Sequence, residues 1–210
     1  MASATKSSEV HRILERYLRE VVEAHELCPW ARTAREAGEI AIELVWGAPG
    51  TEELVAAATI ALARPQTRVA MIVAPELAVA PAGWRAIRDT VAARLPTAGI
   101  AEFHPAAALD LTTPARLVRF LRRAPDPVLQ LVPLALLERV RGAPPVAARA
   151  HQAQILGGHA PPPRADVGTQ IAAANHATVS AHHAAITATL DAIADDRRAA
   201  YARVGITSCR

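Results

Sequence analysis

The sequence predicts an α/β protein: a mainly parallel or mixed four-stranded sheet covered by helices, followed by a C-terminal helical tail. Three observations carry this prediction. Between residues 9 and 142, helical apolar spacing takes turns with short runs of strand pattern. A stretch rich in Pro and Gly then interrupts the pattern at 143–168. Helical spacing returns over 169–204.

The elements follow in order. Residues 9–28 read as a helix, because Val10, Ile13, Leu14, Tyr17, Leu18 and Val21 recur at i, i+3, i+4 and i+7. Ser8 is placed to cap it. Residues 40–46 alternate, with Ile40, Ile42, Leu44 and Trp46 on one face, which predicts a strand. Thr51 is expected to cap a helix reaching about Arg64, with Glu52 and Glu53 in its favourable first turn. The continuous apolar run 69–73 fits a strand buried on both faces. Pro81 opens a further helix with Trp84, Ile87, Val91 and Leu95 as its buried stripe, and 96–99 end it. A third strand covers 100–104 and stops at Pro105. Thr113 and Pro114 start a helix that turns Leu117, Phe120 and Leu121 inward. Residues 128–132 are a fourth strand, and 133–140 a short helix. The stretch 143–168 reads as a linker or surface loop. In the tail, Ile171, Val179, Ile186, Leu190 and Ile193 form a stripe that packs on the core or on a partner.

Composition narrows the function classes. Of 210 residues, 51% are apolar and only 3% aromatic, so the core is built from Ala, Leu, Val and Ile. Lys6 is the only lysine, and the net charge is +3. There is no long basic run with interleaved aromatics, so nucleic-acid binding is not expected. Arg116, Arg119, Arg122 and Arg123 sit at helical spacing and read as a solvated helix face. Cys28 and Cys209 are the only cysteines, which fits a reducing compartment. The polar N-terminus predicts no secretory signal, and no apolar stretch is long enough for a membrane span, so a cytoplasmic location is expected. No GxGxxG, GK[ST] P-loop, GxSxG, HExxH or EF-hand pattern occurs. The sequence assigns no cofactor and no metal.

A few residues remain that can carry chemistry. Cys28 lies before Pro29 and is either a small buried hydrophobe or an activated thiol. Ending the first helix, its thiolate is disfavoured by the helix dipole; capping a new short helix through Arg35, it is favoured, with help from Arg32. His104 stands at the C-terminal end of the third strand, the edge where parallel sheets bind ligands. Period two puts Glu102 on its face as an acid–base or ligand pair, while the plainer reading is a capping His bonded to a loop carbonyl. Arg123 precedes the fourth strand and can clamp a carboxylate or phosphate, or pair with a surface Asp such as Asp126 or Asp110. Gln130 projects from an apolar strand and needs a hydrogen-bond partner if buried. His176, His182 and His183 lie on the tail. His176 and His183 are too far apart in helical spacing for simple chelation, so ordinary helix histidines are expected there.

Leu27-Cys-Pro-Trp30, Phe103-His-Pro105 and Arg123-Ala-Pro-Asp-Pro-Val-Leu-Gln130, in that order, resemble the bacterial domain-of-unknown-function family numbered 1415. The resemblance covers roughly residues 9–142 and implies that Cys28, His104 and Arg123 match the family's polar positions. Ala124 stands where that family usually has Ser, and Gln130 where it usually has His. Gln is a poor soft-metal ligand, which argues against a metal site built on Cys and two His. The family carries no assigned reaction.

Three functions fit these residues. The first is a small-molecule enzyme acting on an anionic substrate, with His104 as acid–base or metal ligand, Cys28 as nucleophile or ligand, and Arg123 as anion clamp. The second is a non-catalytic protein binding a metal or an anionic metabolite at the same edge. The third is a partner-binding module whose tail exchanges between subunits to give a homodimer.

Overall fold

The computed structural model describes residues 2–141 and 167–207. Cys209 and most of the expected linker, residues 143–166, lie outside the described residues. The chain is α/β, with a mixed four-stranded sheet in the order β1-β2-β4-β3. The strands are β1 (Ile40–Leu44), β2 (Val69–Val73), β3 (Ala98–Phe103) and β4 (Val128–Pro133). β1 and β2 are parallel, with Ile40 opposite Val69. β4 is antiparallel to both its neighbours, with Ala70 opposite Leu131 and Phe103 opposite Val128. β1, β2 and β3 therefore run one way, and their C-terminal ends share an edge with the start of β4.

The helices divide between the two faces. On one face lie α1 (Ala2–Tyr17) with its π-helical continuation Leu18–Glu23, α5 (Pro114–Leu121) and the long α7 (Val167–Val204). Their apolar stripes, including Ile13, Tyr17, Leu117, Ile186 and Tyr201, close over Met71, Val73 and Val128. On the other face α3 (Thr51–Leu62) and α4 (Pro81–Arg94) pack Leu54, Ala58, Ala61, Trp84 and Val91 against Ala70, Ile72, Leu129 and Leu131. Small alanines let α3 lie close to the strands. The bulk there comes from Trp84, fully buried, whose indole N–H donates to the Val128 carbonyl at 3.3 Å. Short helices α2 (Ala31–Glu36) and α6 (Leu134–Arg141) complete the set among the described residues.

Several boundaries differ from expectation for local reasons. The first helix begins at Ala2, so Ser8 lies inside it rather than capping it. Gly50, not Thr51, caps α3, and its N–H donates to the Glu53 carboxylate at 2.8 Å. β3 begins at Ala98, so Gly99 lies in the strand, where a Cβ would come within 2.6 Å of a Leu137 methyl. That close approach of α6 is why glycine stands there. Thr113 caps α5 as expected, its hydroxyl accepting from the Arg116 N–H at 3.2 Å. No helix among the described residues is long and apolar enough to cross a membrane.

The tail is locked onto its own chain. α7 packs on α1, and Asp196 receives Arg12 at 2.7 Å and Arg16 at 2.5 Å. Near its C-terminal end, Arg197 and Tyr201 reach back to the sheet edge.

Candidate functional site

The C-terminal edge of β1, β2 and β3 collects two charged clusters. The first is buried. Asp126, in the turn before β4, is 2% exposed and Arg197 8%. Arg197 Nε donates to Asp126 Oδ1 at 2.7 Å, and its Nη2 donates to the Pro75 carbonyl at 3.1 Å. The Tyr201 hydroxyl donates to Asp126 Oδ2 at 2.7 Å, and Arg197 stacks 4.4 Å above the Tyr201 ring. One negative and one positive charge meet with both carboxylate oxygens bonded. Burial pushes the Asp126 carboxyl up, against the pull of Arg197 and Tyr201. Burial and the facing carboxylate hold the Tyr201 phenol well above its usual range. Asp126 is thus no surface partner for Arg123, because α7 brings a dedicated guanidinium to it.

The second cluster is differently balanced. Glu102 near the end of β3 faces α4, its side chain 11% exposed. Arg85 Nε donates to Oε1 at 3.3 Å, and Arg122 Nη1 donates to Oε2 at 3.1 Å. Arg88 Nε lies 3.3 Å from Oε2. That Nε is buried and has no hydrogen-bond partner among the described residues, so proximity there is not matched by donor geometry. Arg85 and Arg88 come from one face of α4 at i, i+3 spacing, and Arg122 from the turn that ends α5. Three guanidinium groups thus surround one carboxylate. Asp89 also meets Arg88, from a largely exposed position on the solvent side. Burial raises the Glu102 carboxyl, but its own backbone N–H with Arg122, Arg88 and Arg85 outweighs that and brings it below the usual range. Arg122 is pulled below its usual range by burial and by its neighbours Arg88 and Arg85, although Glu102 opposes them.

His104 follows Glu102 on the same edge, and its backbone N–H donates to the Arg122 carbonyl at 2.9 Å. Its ring is fully engaged. Nδ1 accepts from the Ala106 N–H at 3.0 Å, and Nε2, 2.9 Å from the Val79 carbonyl, is therefore the donor. This fixes the neutral Nε2–H tautomer and gives His104 a capping role between two loops. Glu102 bonds to arginines and not to His104.

Arg123 is adjacent in sequence but points to the opposite face, where Nη2 donates to Asp191 of α7 at 2.9 Å. Cys28 is placed near the N-terminal end of α7 through its neighbour Leu27. Leu27, next to it, accepts from Asn175 Nδ2 at 3.0 Å. Positions 175 and 191 on one continuous helix are separated by about 24 Å along its axis. Cys28, His104 and Arg123 therefore do not form one pocket. Neither geometry open for Cys28 is met: the first helix ends before it, and α2 starts at Ala31 with Trp30, not Cys28, as its N-cap. A Pro29-Trp30 turn leads into α2, with the Ala31 N–H donating to the Cys28 carbonyl at 3.1 Å, and the backbone of Trp30 and Ala31 favours the thiolate. Burial nevertheless prevails and pushes the thiol up. The surrounding backbone is unusual, with a π-helical turn just before and Glu26 at φ 52°. Glu23, held by Arg35 at 2.6 Å, ties that turn to α2.

The remaining expectations sort themselves similarly. Arg116 pairs with Asp110 at 3.3 Å, Arg119 is exposed, and only Arg122 of that group joins a cluster. His176 Nε2 meets the Leu111 carbonyl at 2.9 Å, while His182 faces His25 with ring centres 6.1 Å apart. No group of three metal-binding side chains occurs among the described residues. Gln130 is half-buried on the α7 side, opposite Met71 and Ala101. A depression of about 350 Å³ lies at the opposite, N-terminal edge of β1 and β2, between Gly38, Ile40 and Arg64 to Thr67. None of the candidate residues lines it. Comparison with known proteins finds no match: no family model, no curated protein and no solved structure.

Proposed function

We propose that the protein binds a small anionic molecule at the C-terminal edge of β3, between Arg85, Arg88 and Arg122. The observation that carries this reading is the charge excess around Glu102: three guanidinium groups converge on one carboxylate. A single carboxylate satisfies at most about one of three positive charges, and a bound anion would supply the rest. Arginine suits the task because its planar fork bonds carboxylate and phosphate oxygens in pairs.

Binding is favoured over catalysis by the state of the other candidates. His104 spends both ring nitrogens on backbone groups. Cys28 carries a thiol whose burial disfavours the nucleophilic form, and it sits at the far end of α7. The family resemblance drawn from Cys28, His104 and Arg123 adds no reaction to this reading.

Isothermal titration with inorganic phosphate at low salt tests it. Saturable binding to the native chain is expected, weakened at least tenfold in Arg122→Gln while the far-UV spectrum stays unchanged. Equal binding by both proteins would remove the site from this edge.

A further inference from the structure

We infer that the ligand of this edge presents a doubly charged phosphoryl group rather than a single carboxylate; the inference rests on the anion-binding reading above. The charge count within the cluster is the first argument. Arg85, Arg88 and Arg122 against Glu102 leave two positive charges without a partner inside the cluster. Asp89, the one other acidic group in contact among the described residues, reaches only Arg88 and does so from a position 62% exposed, where solvent screens it. A dianion matches the interior excess, and a monoanion leaves it half filled.

The donor geometry is the second argument. Arg122 gives one Nη to Glu102 and Arg85 gives its Nε. Their remaining N–H groups have no acceptor among the described residues. Arg88 Nε is buried and makes no hydrogen bond among the described residues, although Glu102 Oε2 lies 3.3 Å away. Leaving a buried donor unmade is unfavourable, so an acceptor is expected in its reach. Donors converge from two directions, α4 on one side and the α5–β4 turn on the other. A planar carboxylate has two oxygens in one plane and serves one such fork. A phosphoryl group has three oxygens spread around phosphorus and can accept from both sides. Glu102 then acts as a positioning residue: it holds the three side chains together when the site is unoccupied.

Titration calorimetry on the full-length chain tests the inference with three probes: phenyl phosphate, benzoate and inorganic sulfate. Phenyl phosphate and benzoate share a ring and differ in the charged group. Sulfate remains a dianion throughout the pH range used, so it controls for titration of the protein, His104 and Glu102 included. At pH 8 phenyl phosphate is expected to bind at least tenfold more tightly than benzoate. The second ionisation of a phosphate monoester lies near pH 6, so its affinity should fall about tenfold from pH 8 to pH 5. Sulfate affinity should stay constant over that range. Benzoate binding as tightly as phenyl phosphate, or sulfate and phenyl phosphate weakening in parallel, would overturn the inference and leave the anion site standing. If none of the three binds, the anion-site reading itself fails. Glu102→Gln supplies a second readout. It keeps the arginines and removes their internal partner, so phenyl phosphate should raise its melting temperature more than that of the native chain. An equal or smaller rise contradicts the positioning role.

Discussion

Two charged clusters share one edge of the sheet, and they are built on opposite principles. Asp126, Arg197 and Tyr201 are almost wholly buried, carry balanced charge, and bond both carboxylate oxygens and a backbone carbonyl. Arg85, Arg88, Arg122 and Glu102 are partly exposed, carry excess positive charge, and keep a buried N–H without an acceptor. A balanced buried network ties elements together, here α7 to the turn before β4. An unbalanced cluster within reach of solvent has donors and charge left over that an anion can take. The distinction lies in the accounting of charge and donors, since both clusters shift the ionisation of their members.

This comparison can be broken by removing one member at a time. The largest effect is expected at the buried cluster. Asp126→Ala leaves the Arg197 charge buried and unpaired, which should cost about 3–5 kcal/mol of stability in urea unfolding. Tyr201→Phe removes one hydrogen bond to a carboxylate and should cost about 1.5–3 kcal/mol. Neither should change phosphate affinity in conditions where the variant is folded. A loss of affinity as large as that in Arg122→Gln would mean that the two clusters act as one.

A smaller effect is expected where α7 meets α1. Hydrogen bonds from Arg12 and Arg16 hold the Asp196 carboxyl well below its ordinary value of 3.8. A carboxyl lowered in the folded state stabilises above its unfolded value, and that contribution disappears as pH falls through the acid range. The groups are partly solvated, so the effect should be about 1 kcal/mol. Melting temperatures of the native chain and Asp196→Asn should differ at pH 7, and the gap should begin to close only as pH falls below the ordinary value of 3.8, narrowing further toward the lowered folded-state value. A gap that persists at low pH would assign the loss to packing.

Much of the fold was legible because it is written in local pattern. The turn signals Pro81, Pro114 and Pro105 fall where helices open or a strand has ended, and the apolar spacings reproduce the observed faces. The strand end placed His104 at the sheet edge, immediately after β3. What local pattern could not give was partnership. Asp126 finds Arg197 and Tyr201 across 71 and 75 residues, and Glu102 finds Arg85 and Arg122 across 17 and 20. Arg85 and Arg88 gave a faint signal, as two arginines on one helix face beside a buried stripe. Cys28, His104 and Arg123 drew attention by residue type, but α7 holds the first and last at distant points of its length.

The most direct test compares the two clusters in one spectrum. In a ¹⁵N–¹H spectrum recorded at low temperature, arginine Nε–Hε signals report on each guanidinium separately. Titration with phenyl phosphate at pH 8 should shift the signals of Arg85, Arg88 and Arg122 in a saturable way and leave that of Arg197 in place. Shifts at Arg197 comparable to those at Arg88, or no saturable shift at any of the three, would contradict the account.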